Sequence, residues 1–155
     1  MLKLSSMSST YRTPGLSFSY PPDWQVAEQH DDDRLTVTVA GAGTAFGTVT
    51  ILYDRPETRD VVTAAVHAFR EEYTELDVYD VRSQIASQPA LGCDIDFICL
   101  ELCNTALLRA FRTPQFTVLM LFQSSDIDLE QAKPVFDQMC NSLTCGTDSL
   151  WDEPA

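Results

Sequence analysis

The sequence predicts an α+β domain, in which an antiparallel β-sheet of about six to eight strands is flanked by helices on both faces. Three consecutive strand-like runs carry the prediction: Cys93–Leu100, Thr105–Arg112 and Gln115–Phe122. Short connections join them, which makes neighbouring strands antiparallel. The third run is apolar on both faces, with Phe116, Val118, Met120 and Phe122 pointing one way and Leu119 and Leu121 the other. Since a strand covered on one side alternates apolar and polar residues, we expect this strand to be covered on both sides.

Five further runs predict strands from their alternation and from the turn residues between them. They are Leu16–Tyr20, Trp24–Glu28, Arg34–Ala40, Phe46–Tyr53 and Val78–Ala86. Apolar residues at three- and four-residue spacing predict helices over Arg59–Glu75 and Leu129–Leu143. The predicted order is therefore four strands, a helix, four strands and a helix.

The predicted helices carry recognisable start signals. Thr58 is the expected N-cap of the first helix. In the second, Asp128 followed three residues later by Gln131 resembles a capping box. Pro134 either lies in the first turn of a helix that begins near Lys133, or kinks a longer one.

The chain divides into one domain and two terminal segments. Residues 1–15, rich in Ser and Thr and without apolar periodicity, are predicted to be a disordered leader. Residues 16–145 form the α+β domain, and residues 146–155 form an acidic tail with only Leu150 and Trp151 as large apolar side chains. A chain of 155 residues fits a single domain.

Charge and hydropathy exclude several function classes. The formal net charge of −13 repels phosphate backbones, which argues against nucleic-acid binding and favours a basic protein partner. No run of eighteen apolar residues spans a membrane, and the first residues lack the apolar centre of a signal peptide. We therefore expect no membrane association and a cytoplasmic location.

No motif for metal, cofactor or catalytic chemistry is present. The five cysteines include no CxxC pair, and neither His30 nor His67 lies at a zinc-site spacing from them. Free, buried thiols in a reducing compartment are the expected state. The P-loop, GxGxxG and GxSxG motifs do not occur. We predict no catalytic residue, no metal and no cofactor.

Three residues are predicted to be structural. Trp24 follows a proline-containing turn and is expected to close one end of the sheet, although exposed Trp residues also anchor interfaces. Asp94 and Asp96 share one face of a strand, as an acid–base pair would. A cross-strand ion pair between Arg109 and Asp96, or one pair away, explains them without chemistry.

Acidic residues at the end of the first predicted helix are the candidate partner-binding site. They are Glu71, Glu72, Glu75 and Asp77. Because a helix C-terminus already carries the negative end of the macrodipole, acids there are unfavourable for the helix itself. The predicted role is a docking surface for a basic partner, and the alternative is charge that serves only solubility.

The element order and one short motif resemble the PsbP-like superfamily. The motif is Phe18-Ser-Tyr20-Pro21-Pro22-Asp23-Trp24, followed by Leu91-Gly92 before the three long strands and by Ser142-Leu143 at the end of the last helix. That superfamily includes the extrinsic PsbP protein of photosystem II, a Ran-binding nuclear import factor and bacterial DcrB-type proteins. The resemblance implies an antiparallel sheet flanked by helices, no catalysis, and a role in binding other proteins. The lipoprotein cysteine or transit peptide of many exported members is missing.

We therefore expect a non-enzymatic domain that acts through protein–protein contacts. An adaptor or chaperone for secretion remains an alternative, and an exposed apolar patch would favour it. A small-ligand carrier or an enzyme with a site assembled from several strands is the other, and a deep polar pocket would favour that.

Overall fold

The computed structural model describes residues 8–146, so residues 1–7 of the predicted leader and residues 147–155 of the predicted tail lie outside it. The strands are β1 Ser9–Thr13, β2 Leu16–Tyr20, β3 Gln25–His30, β4 Arg34–Ala40, β5 Phe46–Leu52, β6 Leu76–Ile85, β7 Gln88–Cys99, β8 Leu102–Arg112, β9 Thr117–Ser125 and β10 Thr144–Cys145. The helices are α1 Thr58–Glu72, between β5 and β6, and α2 Asp126–Ser142, between β9 and β10.

Seven strands form one antiparallel sheet in the order β3-β4-β5-β9-β8-β7-β6. The three strands on which the fold prediction rests are β7, β8 and β9, and β9 lies at the centre of the sheet. The antiparallel α+β class is therefore confirmed. The predicted first strand, β2, lies instead in a separate three-stranded sheet of order β1-β2-β10.

The two helices cover opposite faces of the seven-stranded sheet. In β8, Ala106 and Leu108 belong to an apolar cluster that packs against α1. Leu107 and Phe111 point the other way, into the larger core that contains residues of α2 and of the small sheet. Since side chains alternate along a strand, the two sets lie on opposite faces. The predicted two-sided covering is confirmed.

Strand β1 corrects the predicted extent of the leader. It pairs with β2 from Ser9↔Tyr20 to Thr13↔Leu16, so residues 9–13 are ordered parts of the domain. Tyr11 is buried against Phe18, with ring centroids 5.4 Å apart, and its hydroxyl donates to Glu28 Oε2 at 2.6 Å. One buried aromatic residue holds this strand, and a single apolar position gives no periodicity for a sequence pattern to detect.

Both helices begin earlier than predicted. Glu57 rather than Thr58 is the N-cap of α1, and Ser125 is the N-cap of α2, because β9 runs directly into the helix. The predicted capping residue Asp128 therefore lies inside the first turn of α2. Pro134 lies in the helix interior, where it removes one backbone hydrogen bond without ending the helix.

Gly92 lies inside β7, not in the turn that Pro89–Gly92 predicts. The turn before it is Ala86-Ser87, whose positive φ values of 54° and 65° suit a two-residue hairpin. A Cβ atom at Gly92 would lie 1.9 Å from the Leu108 carbonyl oxygen, so the glycine lets β7 and β8 approach closely.

The cysteine thiols differ in accessibility. Cys93 is buried and Cys140 is partly buried, and burial raises the pKa of both thiols, that of Cys140 to about 12. Cys103 is exposed. Within residues 8–146, neither helix combines the length and apolar composition needed to cross a bilayer.

Replacing Tyr11 with Ala tests whether β1 stabilises the fold. Because the side chain is buried and hydrogen-bonded, we expect Tyr11→Ala to lower the free energy of unfolding by about 2–4 kcal/mol. Arg12→Ala, an exposed neighbour in the same strand, is the control and should change it by less than about 0.5 kcal/mol. Urea denaturation measures both, and a cost of Tyr11→Ala as small as that of the control would contradict a stabilising role of Tyr11 in β1.

Two glycines in the same sheet provide a matched test of close strand packing. A methyl group at Gly92 meets backbone that cannot move without separating the strands, so Gly92→Ala should cost about 3 kcal/mol or more. At Gly47 the nearest atoms to an added Cβ are 3.6–3.8 Å away, and Gly47→Ala should cost less than about 1 kcal/mol. Thermal unfolding of the two variants compares the costs, and a tolerated Gly92→Ala would contradict the close approach.

Candidate functional site

A cavity of about 510 Å³ opens at one end of the seven-stranded sheet, where β6, β7 and β8 meet the start of α2. Four carboxylates line it, contributed by Glu75, Asp77, Asp96 and Asp126; the other lining residues are Thr74, Leu76, Phe97, Ile98, Cys103 and Asn104. Among the described residues, no Lys, Arg or His lines the cavity. A recess with charges of one sign concentrates ligands of the opposite sign, so a cationic group is the chemistry that fits.

Strand register brings these carboxylates together. Asp77 lies directly opposite Asp96 in the β6–β7 pair, and Asp96 lies opposite Thr105 in the β7–β8 pair. The buried Thr105 hydroxyl is 3.2 Å from Asp96 Oδ1 and 2.9 Å from Asp126 Oδ1. A hydroxyl has one proton to donate, so at any moment one of the two carboxylates receives it. Thr105 therefore holds the strand and the helix start at a fixed separation.

The carboxylates do not converge as the ligands of one metal ion would. Within residues 8–146, no group of three or more His, Cys, Asp or Glu side chains has an arrangement that could hold a metal. A cationic group that contacts several of these carboxylates must therefore be larger than a single ion, as a guanidinium or a row of ammonium groups is.

One exposed aliphatic side chain, Ile98, lines the cavity, and three others lie near it along the chain. We call this set the hairpin rim: Ile98, Leu100 and Leu102 at the β7–β8 turn, and Ile127 next to Asp126. Leu100 is 89% exposed and Ile127 is 79% exposed. Leu100 and Glu101 form the two-residue turn with φ values of 55° and 67°, in the left-handed region that non-glycine residues rarely adopt. The Ala86-Ser87 turn has the same geometry, so what distinguishes this turn is the exposed Leu100, which packing and solubility do not require.

The first turn of α2 is fastened to the loop between β4 and β5. The Thr44 hydroxyl is 2.6 Å from Asp128 Oδ2, and the Thr44 backbone N–H donates to the same oxygen at 2.9 Å. The Thr44 hydroxyl also accepts from the Ser125 backbone N–H at 2.9 Å. These bonds, first among them the one from the Thr44 hydroxyl, lower the pKa of Asp128. They fix the position from which Asp126 and Ile127 project.

The structure divides the predicted acidic docking residues. Glu75 and Asp77 line the cavity, together with Asp96 and Asp126, which the sequence did not place there. Glu71 and Glu72 lie on α1 outside the lining set, and Glu71 Oε2 is 3.1 Å from His67 Nε2 on an exposed helix face. Neither the hairpin rim nor Asp126 gave a sequence signal, because the turn carries no Gly, Asn or Pro and the predicted helix began later.

Arg109 pairs with Asp94, the predicted alternative one pair away from Asp96. Its Nη1 atom is 2.9 Å from Asp94 Oδ1, and its guanidinium lies 5.6 Å from the Phe136 ring centroid on α2. The β7–β8 turn lies at Leu100-Glu101, two residues before Leu102-Cys103, the midpoint of the link between the predicted strands, so Arg109 is opposite Gly92. Because this displacement is an even number of residues, the side chains stay on the predicted face of the sheet.

Trp24 lies at the margin of the larger core. It is half-buried, and its ring makes an edge-to-face contact with Phe122 at a centroid distance of 6.1 Å. Gly41 passes directly beside it, since a Cβ there would be 2.5 Å from the indole ring. These contacts are those of a packing residue remote from the cavity.

Comparison with known proteins yields likeness of structure alone. No protein-family model matches the sequence, and no curated protein matches it. The solution structure of cyanobacterial PsbP (CyanoP) from Synechocystis sp. PCC 6803 matches with a TM-score of 0.62 and 12% identity, over 90% of this chain and 93% of that one. The crystal structure of LpqN, involved in cell envelope biogenesis of Mycobacterium tuberculosis, matches with a TM-score of 0.56 and 9% identity, over 92% and 94%.

A crystal structure from Bacteroides thetaiotaomicron VPI-5482 matches with a TM-score of 0.59 and 12% identity over 92% of this chain. The chain spans 50% of that Bacteroides chain. The chain therefore has the PsbP-like fold that its motif and element order predict. At these identities the likeness concerns the fold, and the site must be argued from its own residues.

Replacing Asp128 tests the fastening of α2 through its pH dependence. A carboxylate with a lowered folded-state pKa stabilises the fold above its unfolded pKa of about 3.9, and this stabilisation is lost as the pH falls through the folded value. We therefore expect Asp128→Asn to be destabilising at pH 7 and to approach the stability of the parent protein as the pH falls through the lowered pKa of Asp128.

Urea unfolding between about pH 2 and pH 7 measures this difference. Glu130→Gln is the control, because Glu130 is an exposed residue of the same helix with no hydrogen bond among the described residues. It should cost less stability at pH 7 than Asp128→Asn. A cost of Asp128→Asn that is constant across the pH range would contradict the role of the ionised carboxylate.

Proposed function

We propose that this chain is a non-enzymatic binding domain that holds a basic, partly apolar segment of a protein partner in the acidic cavity. The observation that carries the proposal is a cavity lined by four carboxylates and by Ile98, the member of the exposed hairpin rim that reaches it. Carboxylates suit Lys and Arg side chains, and the rim suits the apolar residues between them. The known proteins of similar fold named above are not described as enzymes, which fits a binding role.

Apolar burial at the rim and opposite charge in the cavity contribute to binding in different ways. Fully burying one Leu or Ile contributes roughly 1.5–3 kcal/mol, so the whole rim contributes at most about 6–12 kcal/mol. Association costs roughly 4–15 kcal/mol in lost freedom of motion. The carboxylates then add specificity and a faster encounter rate, because the attraction between opposite charges acts before contact. A partner segment with both properties is therefore selected over one with either alone.

The test uses synthetic peptides of alternating Lys and Leu as probes. We expect such a peptide to bind more tightly than peptides of alternating Glu and Leu or of alternating Lys and Ser. Fluorescence anisotropy gives the dissociation constants. Binding should weaken between 0.1 M and 1 M salt, because the Debye length falls from about 10 Å to about 3 Å.

Paired variants locate the binding site. Glu75→Gln combined with Asp77→Asn removes two cavity charges and should raise the dissociation constant about tenfold. Asp31→Asn combined with Asp32→Asn, at the exposed β3–β4 turn, removes the same charge and should change it less than about twofold. Leu100→Asn tests the rim without straining the turn, since Asn tolerates a left-handed backbone. Equal effects of the two charge variants would show that only net charge matters and would overturn the proposal.

A further inference from the structure

Strand β6 is a long, open outer edge of the seven-stranded sheet. It spans Leu76–Ile85 and pairs with β7 at all 10 of its residues without a bulge. Within residues 8–146 no strand pairs with its other side. The opposite outer strand, β3, has 6 residues. Natural proteins block such edges with Pro, bulges, short strands or charged side chains. Strand β6 is long and has no Pro and no bulge, but it carries the charges of Asp77, Asp80 and Arg82.

The register shows which backbone groups of β6 face outward. The two-residue turn at Ala86-Ser87 makes Ile85 and Gln88 a hydrogen-bonded pair, and bonded pairs recur at every second residue. The Ile98 N–H donates to the Glu75 carbonyl at 3.4 Å. Glu75 is an even number of residues from Ile85, so this bond belongs to the same alternating series of bonded pairs. The odd-numbered residues of β6 therefore bond to β7. The even-numbered residues direct their N–H and C=O groups away from the sheet; these are Leu76, Val78, Asp80, Arg82 and Gln84.

Two outward-bonding residues carry opposite charges. Asp80 and Arg82 are both exposed and lie on the face of the sheet that α1 covers, because Leu76 and Val78, of the same parity, pack against the α1 cluster. Neither forms an ion pair with another described residue. The edge thus presents free hydrogen-bonding groups and a plus–minus pair of side chains.

We propose that a second copy of this chain pairs antiparallel along β6. The two-fold axis passes between Val81 of one copy and Val81 of the other. Outward-facing residues must meet outward-facing residues, so the even-numbered residues pair with one another. In the register centred on Val81, Asp80 lies opposite Arg82 of the second copy, and by symmetry Arg82 lies opposite its Asp80. Opposite charges at directly opposed positions stabilise an antiparallel pair.

The neighbouring registers are disfavoured by the same charges. A two-fold axis at Asp80 would place this carboxylate opposite Asp80 of the second copy. An axis at Arg82 would place the two Arg82 guanidinium groups opposite each other. Like charges directly opposite each other destabilise a strand pair. In the favoured register the exposed Tyr79 lies beside Ser83 of the second copy, and the two seven-stranded sheets become continuous.

Charge reversal on the full-length chain tests the register. We expect sedimentation velocity to show a concentration-dependent dimer of the parent protein. Asp80→Arg and Arg82→Asp should each raise the dimer dissociation constant at least about tenfold, because each places like charges in opposition. The double variant, Asp80→Arg with Arg82→Asp, restores complementarity and should dimerise within about threefold of the parent. Asp31→Arg, the same charge change at the exposed β3–β4 turn, is the control and should have no effect.

Mixing the two single variants gives a second, independent readout. A copy with Asp80→Arg and a copy with Arg82→Asp present opposite charges at both opposed positions, so the mixture should form a heterodimer although each variant alone is largely monomeric. Circular dichroism confirms that each variant folds. A parent protein that stays monomeric up to roughly 1 mM overturns the proposal. So does a dimer that both single reversals leave intact, since its interface then lies elsewhere.

Discussion

The structure depends on the burial of β9 from both sides. Val118, Met120 and Phe122 enter the larger core beneath α2, while Leu119 and Leu121 pack on the α1 side. Packing on one face of the sheet cannot bury such a strand, because half of its apolar surface would remain in water. The two-sided burial of β9 fixes where both helices lie. Helix α2 continues β9 without a loop, so its N-terminus lies at the end of the central strand.

The features that apolar periodicity determines could be predicted from the sequence. The features that turn geometry determines could not. The central strands, the helices and the α+β class follow from alternating or helical patterns that burial enforces. The exact β7–β8 register does not, because the Leu100-Glu101 turn adopts positive φ values without Gly or Asn, and this turn sets the register. Strand β1 escaped prediction because Tyr11 is its single buried side chain.

The same limitation explains how much of the candidate site was foreseen. Glu75 and Asp77 stood out as acids where a helix ends, but Asp126 reaches the cavity only because α2 begins at that residue. The carboxylates of Asp77, Asp96 and Asp126 come from different parts of the chain and meet through strand register and the Thr105 hydroxyl. A site assembled across strands has no local motif, so its recognition required the pairing to be known.

Strand β2 has a consequence for how the protein is made. It lies between β1 and β10, and the Ser17 and Thr144 hydroxyl oxygens are 2.9 Å apart although 127 residues separate them in sequence. At about 5–20 residues per second, a ribosome needs roughly 6–25 s to add the residues between them. During that interval Leu16 and Phe18, both buried in the finished fold, lack part of their covering. Strand β2 is therefore made long before its sheet is complete, and until then its apolar face is open to aggregation and chaperone binding.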